Sequence, residues 1–178
     1  MPKKILQYLF QYYIFLSYFC GAITKLIIMA KEIERKYLVN SELYKSMAQC
    51  VKYIEQGYLS LQKEATVRVR IKENCAFLTI KGLSMGAVRD EWEYQIPIEE
   101  AREMLSQCCQ SDLISKHRYE VVYEGFLWEI DEFHGRHEGL VVAEIELGAE
   151  DESFPLPPFI GEEVTGDPAY YNSSLSGI

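Results

Sequence analysis

Charged residues recur at every second position along most of the extended segments of this chain. The pattern begins in the segment KEIERKYLV, where Glu32, Glu34 and Lys36 alternate with Ile33 and Tyr37. Successive side chains of a β-strand point to opposite faces of the sheet, so the three charges share one face and the apolar residues the other. Taken alone, this segment indicates a solvent-exposed strand face, which is the commonest cause of such alternation.

The same alternation returns in the later segments, and its repetition favours a second interpretation. Nearly every long segment carries two charged residues that are two positions apart, with apolar or aromatic residues between them. Burying charges is costly unless they are paired, so an inward-facing charged row is economical only when the sheet closes around something charged. The pairs are Glu32 and Glu34, Arg68 and Arg70, Glu91 and Glu93, Lys116 and Arg118, Glu129 and Asp131, and Glu144 and Glu146.

Acidic and basic residues are nearly balanced on this predicted inner face. Carboxylates in Glu-x-Glu pairs suit hard cations, which take oxygen ligands and share them with substrate phosphates. Arginine and lysine suit the phosphate oxygens themselves. The sequence therefore predicts a phosphate chain bound together with Mg²⁺ or Mn²⁺. The basic residues are Lys36, Arg68, Arg70, Lys72, Lys81, Arg89, Lys116 and Arg118, and they stand against the acidic residues of the pairs above.

The coarse secondary structure is strand after strand, with few helices, so the fold class is α+β and mainly β. We predict one helix over residues 41–50, with Ser41 as its N-cap, and another over residues 98–108, where apolar residues recur at helical spacing. A last helical turn is expected near Tyr170. The predicted strands are residues 31–39, 56–61, 66–72, 76–81, 89–96, 113–123, 126–133 and 140–147; they form hairpins of an antiparallel sheet.

Charge, cysteine and histidine patterns argue against several classes of function. The net charge of −9 argues against broad binding to nucleic acid, so no nucleic-acid partner is predicted. The five cysteines show no C-x-x-C spacing, and reduced thiols in a cytoplasmic protein are the expectation. His134 and His137 are spaced as H-x-x-H, but they lie in a glycine-rich segment between strands, which favours an exposed turn over a metal site.

The first 28 residues differ in character from the rest. Two lysines precede a stretch over residues 5–28 that is apolar and aromatic, with only isolated polar residues. Either Met29 is the true first residue and the protein is cytoplasmic, or residues 1–28 are a signal peptide or membrane anchor. We therefore divide the chain into a hydrophobic extension, residues 1–28, and one domain, residues 29–178; a membrane contact is predicted only if the extension exists.

Ordered motifs in residues 29–175 resemble the CYTH proteins, also called triphosphate tunnel metalloenzymes, of the short bacterial type. The motifs are EIERKYLV, VRVRIK, LTIKG, RDEWEYQIP, KHRY, WEID, GLVVAEIEL and EVTGDPAYYNSSL, in this order. The resemblance implies a closed antiparallel barrel of about eight strands with flanking helices and a polar tunnel. It also implies that triphosphate is bound in the tunnel and hydrolysed with a divalent metal.

The resemblance also implies a role for each motif residue. Metal ligands would be Glu32, Glu34, Glu91, Glu93, Asp131, Glu144 and Glu146. The phosphates would be bound by Arg68, Arg70, Lys81, Arg89, Lys116 and Arg118. Lys36, Tyr58 and Lys81 would act in catalysis, with the tyrosine paired to the lysine Lys81 as in relatives that cleave thiamine triphosphate.

The predicted activity is hydrolysis of inorganic triphosphate, because the chain is short and has no obvious extra element to recognise an organic head group. Hydrolysis of thiamine triphosphate or of a nucleoside triphosphate is an alternative, as is the cyclase chemistry that makes cyclic AMP. A non-catalytic polyphosphate-binding module is disfavoured because binding alone does not call for two sets of metal-capable carboxylates. The expected partner is a small triphosphate-containing molecule, with a homodimer also possible.

Overall fold

The computed structural model describes residues 30–83, 87–109 and 111–177. The predictions for residues 1–28 lie outside the described residues. The strands are β1 (Ala30–Val39), β2 (Cys50–Gln62), β3 (Ala65–Lys72), β4 (Cys75–Lys81), β5 (Val88–Ile96), β6 (Ile114–Tyr123), β7 (Phe126–Phe133), β8 (Val141–Glu146) and β9 (Ile160–Glu163). The α-helices are α1 (Leu43–Met47), α2 (Ile98–Gln107) and α3 (Asn172–Leu175), with 3₁₀ turns at Gly135–His137 and Pro168–Tyr170.

Strands β1 to β8 close into an antiparallel barrel. Their order around the barrel is β1-β5-β4-β3-β2-β6-β7-β8. The first strand closes the ring, because its residues 30–33 pair with β5 while residues 34–38 pair with β8. The short strand β9, which the sequence did not predict, pairs with the end of β1 at Tyr37 and Val39. The predicted closed eight-stranded barrel with flanking helices is confirmed.

The prediction of a helix over residues 41–50 was wrong in extent. Helix α1 is one turn long, and Glu42 rather than Ser41 occupies its N-cap position without a side-chain hydrogen bond. The following residues belong to β2, in which Cys50 pairs with Glu120 of β6. The sheet therefore satisfies the backbone groups that a longer helix would have used, and tertiary pairing overrides local propensity here.

The outer face of the barrel carries the apolar rows, and short elements cover them. Trp128, Ile130 and Ile145 are buried on one side beneath Tyr44 of α1 and Phe159 of the segment before β9. On the other side, α2 packs on β3 and β4, with the buried pair Ala101 and Leu105 against Val69 and Ala76. Because these rows are covered from outside, the charged rows of the same strands face the lumen.

A third apolar cluster lies between the barrel strands and the C-terminal segment. Tyr58, Phe133 and Val142 are buried together, and Tyr170 and Leu175 from the C-terminal segment pack against them. This cluster joins four barrel strands, β2, β6, β7 and β8, to the C-terminal turns. In the described part of the chain, no helix is both long and apolar enough to cross a membrane.

Candidate active site in the barrel lumen

The lumen of the barrel is a cavity of about 660 Å³ that is lined almost entirely by charged and polar side chains. Alternation along each strand determines which residues reach it, because every second side chain points inward. The structure brings nearly all of the predicted site residues together here; the two exceptions are Lys116 and Asp131. The predicted residues that line the cavity are Glu32, Glu34, Lys36, Tyr58, Arg68, Arg70, Lys81, Arg89, Glu91, Glu93, Arg118, Glu144 and Glu146.

Glu32 of β1 holds two bases from neighbouring strands. Its carboxylate accepts hydrogen bonds from the Nζ of Lys81 at 3.1 Å and from the Nε of Arg89 at 2.6 Å. Lys81 also contacts Glu91, with 2.5 Å between Nζ and Oε2. Burial and the nearby Arg68 guanidinium lower the pKa of Lys81 below its ordinary value. The carboxylates and bases of this wall therefore neutralise one another.

Glu144 of β8 is the buried centre of a second cluster. Lys36 and Arg118 both donate to its carboxylate, the latter from Nη2 at 2.8 Å. The Nζ of Lys36 also lies 2.9 Å from Oε1 of Glu34. Burial opposes ionisation of Glu144, but the two bases outweigh it and hold the pKa of Glu144 well below its ordinary range. Glu144 therefore stays ionised and fixes two bases at the cavity wall.

Strand β3 presents a pair of arginines to the lumen. Arg70 donates from Nη2 to Oε2 of Glu93 at 2.8 Å, and the hydroxyl of Thr79 donates to the same oxygen at 2.9 Å. Arg68 donates to Thr79 at 3.3 Å. Burial and the adjacent Arg68 charge lower the pKa of Arg70 to about 10. Two cations held this close, with partial compensation by one glutamate, form a site that favours an anion.

Lys116 and Asp131 are the predicted site residues that the structure does not bring to the cavity wall. They are 1% and 0% exposed. Oδ1 of Asp131 accepts from Nε of Arg118 and Oδ2 from Nη2, each at 2.6 Å, while Lys116 also donates to Oδ2. Both carboxylate oxygens are therefore occupied by bases. An acid between two bases is tolerated in the interior, so this pair lies behind Arg118 instead of facing the lumen.

Glu146 differs from every acid described above, because no ion pair or hydrogen bond engages its carboxylate within the described residues. It is open to the cavity and lies opposite Glu34 across the β1–β8 ladder. Partial burial and the charges of Glu32 and Glu91 raise the pKa of Glu146 above its ordinary value. This crowding of negative charge is the part of the lumen where a cation would be stabilised most.

A divalent metal fits this part of the lumen by donor type. The acids offer only carboxylate oxygens, which Mg²⁺ and Mn²⁺ prefer. No group of three or more histidine, cysteine or acidic side chains is already gathered into a metal site within the described residues. The reason is visible in the contacts above: Glu32 and Glu34 hold Lys81, Arg89 and Lys36 instead. Metal binding would therefore exchange some of these bases for the cation.

The C-terminal segment adds cavity residues that the sequence analysis missed. Tyr171, Asn172 and Ser173 line the lumen together with Thr165. Thr165 accepts a hydrogen bond from the backbone N–H of Lys36 at 2.9 Å, and Asn172 accepts from Lys116 at 3.5 Å. Thr165 and Tyr171 lie outside the helices and strands, and Asn172 and Ser173 begin the single-turn helix α3. These segments are too short or too irregular for a periodic signal in the sequence to have assigned them to the lumen.

A closed antiparallel barrel whose lumen carries interlocked acids and bases defines a protein that binds a charged chain inside a tunnel. The chain belongs to the CYTH family, since its residues 30–177 match the CYTH domain. The resemblance drawn from the ordered sequence motifs is confirmed.

Two curated relatives are named inorganic triphosphatase. The relative from Acetivibrio thermocellus is 51% identical over 147 residues, which cover 83% of this chain and 94% of the relative. The relative from Nitrosomonas europaea is 35% identical over 153 residues, covering 82% of this chain and 96% of the relative. A crystal structure of an inorganic triphosphatase, 32% identical, matches 84% of this chain and 97% of its own with a TM-score of 0.59.

Proposed function

We propose that this protein hydrolyses inorganic triphosphate with the help of a divalent metal, inside the barrel lumen. The observation that carries the proposal is the arrangement of the cavity. Two arginines of β3, Arg68 and Arg70, line the same lumen as a group of carboxylates, in which Glu146 has no basic partner among the described residues. Such a cavity suits a polyanion and its cation together. The names of the two curated relatives support the same substrate.

The basic residues bind and orient the phosphates. Arg68 and Arg70 supply planar guanidinium groups that can donate two hydrogen bonds to one phosphate, and Arg118 and Arg89 add further donors. Phosphoryl transfer requires mainly in-line positioning and stabilisation of charge, with little covalent chemistry from the protein. We assign these residues, rather than a nucleophilic side chain, the main part of the rate enhancement.

The acidic residues hold the metal. Glu32, Glu34 and Glu146 are our proposed ligands, with Glu91, Glu93 and Glu144 neutralising the bases that surround them. When bound, a divalent cation supplies charge neutralisation on the phosphate oxygens and lowers the pKa of a coordinated water. Whether the ion is Mg²⁺ or Mn²⁺ is decided by the assay below, because both take the same oxygen donors.

Lys36, Lys81 and Tyr58 are proposed to act next to the reacting phosphate. Lys81 has a lowered pKa and two acidic partners, and we propose that it stabilises the negative charge that develops on the leaving phosphate. Burial raises the pKa of Tyr58 above its ordinary value, which keeps its hydroxyl protonated as a hydrogen-bond donor. Lys36 keeps Glu34 and Glu144 in fixed positions. A cytoplasmic location and a homodimer stay predictions from the sequence.

The test is phosphate release by the full chain from tripolyphosphate, ATP and thiamine triphosphate, each with Mg²⁺ and with Mn²⁺. The matched control is Glu34→Gln, which keeps the shape of a lumenal side chain and removes its charge. We expect tripolyphosphate to be the preferred substrate and the control to be inactive. Preference for ATP or thiamine triphosphate would contradict the proposed substrate, and no turnover of any of the three would contradict hydrolysis.

A further inference from the structure

Gln56 is a fully buried polar residue that none of the interactions above uses. Its side chain is 0% exposed, and neither Nε2 nor Oε1 has a hydrogen-bond partner in the described part of the chain. It lies on β2 two residues before Tyr58, which lines the cavity, so it belongs to the same inward-facing row. Buried polar groups are nearly always hydrogen-bonded, and an exception requires a reason.

Unsatisfied donors are found directly beside it. Gln56 is paired with Arg70 across the β2–β3 ladder, and the next pair on the same face of the sheet is Tyr58 with Arg68. The Nε atoms of Arg68 and Arg70 are both buried without a hydrogen-bond partner. Directly opposite side chains on a sheet have Cβ atoms about 4.5–5.5 Å apart, and diagonal neighbours are within reach of long side chains. An unused acceptor thus lies within reach of two unused donors.

The present partners of Arg70 explain why this acceptor is unused. Arg70 directs Nη2 to Glu93. A guanidinium that binds a phosphate must turn its outer N–H groups toward the ligand and away from the glutamate. Its Nε–H would then stay buried without an acceptor, at a considerable cost in free energy, unless a neighbouring oxygen receives it. Oε1 of Gln56 is placed on the opposite strand to do so.

We propose that Gln56 is a positioning residue for the phosphate clamp: its amide oxygen accepts the Nε–H of Arg70 when that arginine turns from Glu93 to a bound phosphate. This inference rests on the proposed function, because it assumes a phosphate ligand in the lumen. Gln56 acts through Arg70 and does not touch the reacting atoms. The amide of Gln56 is hydrogen-bonded when phosphate is bound and unpaired when it is not. The unpaired amide therefore destabilises the free protein.

The test compares Gln56→Leu with the wild-type full chain. Leucine has nearly the same volume and no polar atoms, so we expect the Tm of the free protein to stay equal or rise by about 2–4 °C. We expect the rise in Tm caused by tripolyphosphate to shrink to less than half, and kcat to fall by about 10- to 100-fold because the clamp loses its orientation. A lower Tm with unchanged kcat and an unchanged ligand effect would overturn the inference.

Two further variants keep the test decisive. Ile54→Val alters an equally buried inward residue of the same strand and should lower the Tm without changing kcat or the ligand-induced shift. Gln56→Glu should hold Arg70 permanently and place a negative charge beside the phosphate, raising KM at least about tenfold; an unchanged KM would overturn the inference even if Gln56→Leu failed to fold. If tripolyphosphate raises the Tm of the wild-type protein but no phosphate is released, the proposed hydrolysis is wrong. The comparison of ligand-induced Tm shifts between the wild type and Gln56→Leu still tests the role of Gln56 in that case.

Discussion

Asp131 and Glu146 are two acids of the same barrel whose surroundings are opposite. Asp131 is completely buried between Arg118 and Lys116, which outweigh its desolvation and hold its pKa below the ordinary value. Glu146 is open to the lumen and crowded by other acids. We therefore expect Asp131 to serve the fold and Glu146 to serve the metal.

Replacing Asp131 with asparagine should mainly destabilise the protein. The change leaves the charges of Lys116 and Arg118 in the interior without their shared partner, and breaking such a buried pair costs about 3–5 kcal/mol. Urea unfolding measures the loss. The affinity of the folded protein for Mn²⁺ should change little, as isothermal titration can show; a large loss of affinity with intact stability would instead support the metal-ligand role that the sequence motif implies for Asp131.

Replacing Glu146 with glutamine should have the reverse effect. Removing one of several crowded carboxylates relieves repulsion, so the free energy of unfolding should stay equal or increase slightly. Metal-dependent phosphate release should fall by at least about 100-fold, since the change removes a proposed ligand. Wild-type metal affinity in Glu146→Gln would exclude this carboxylate from the metal site.

These two residues also show where the sequence stops being informative. Alternation places both on the inward row of their strands, because the side-chain period of a strand is fixed by its backbone, but of the two Glu146 lines the cavity and Asp131 does not. It did not predict that Lys116 and Asp131 would be covered by Arg118, because depth within the lumen depends on barrel curvature and on which long side chains reach across it. The acidic pairs could be listed from the sequence, but the ion pairs between strands could not.

Strand β2 and the segment after α2 approach each other so closely at Gly57 that a Cβ there would force the neighbouring side chains to shift. A Cβ added there would lie 2.4 Å from Sγ of Cys109 and 2.7 Å from Cδ2 of Leu113. The contact places the end of α2 against the strand that carries Tyr58 and Gln56 to the lumen. The sequence prediction began this strand at Gln56 and assigned no packing role to Gly57, since close approach between distant segments leaves no periodic signal.

Gly57→Ala should therefore destabilise the barrel through this contact. Overpacking of this kind costs about 1–3 kcal/mol, because the backbone or the neighbouring side chains must shift. Differential scanning calorimetry should show a lower Tm. The variant Gly125→Ala is unsuited as a control because Gly125 has φ +89°, whereas Gly82→Ala meets only contacts of 3.6 Å and longer. Equal Tm values for Gly57→Ala and Gly82→Ala would refute the close-packing argument.

The barrel as a whole is held together by interlocked charges as well as by its outer apolar clusters. Glu91, Glu93 and Glu144 all have pKa values below the ordinary 4.5, because lysines and arginines outweigh the desolvation of each. A carboxyl whose pKa is lower in the folded state binds its proton more weakly there than in the unfolded chain. Such groups stabilise the fold above the unfolded-state pKa, and this contribution is lost as the pH falls through the folded-state pKa.

The free energy of unfolding should therefore decrease steeply as the pH is lowered below about 4.5, and Glu144→Gln should flatten that decrease. Glutamine cannot titrate, so the variant lacks the part of the pH dependence that comes from the low pKa of Glu144, although it is less stable at pH 7 because Lys36 and Arg118 lose a charged partner. Glu146→Gln is a control for which the opposite change in slope is expected. The pKa of Glu146 is raised, so its ionised form destabilises the fold and its protonation at low pH removes that penalty. The variant lacks this compensation, and its free energy of unfolding should decrease more steeply than that of the wild type. Urea unfolding between pH 3 and pH 7 measures all three slopes. Parallel curves for the three proteins would mean that the lumenal carboxylates do not govern acid stability.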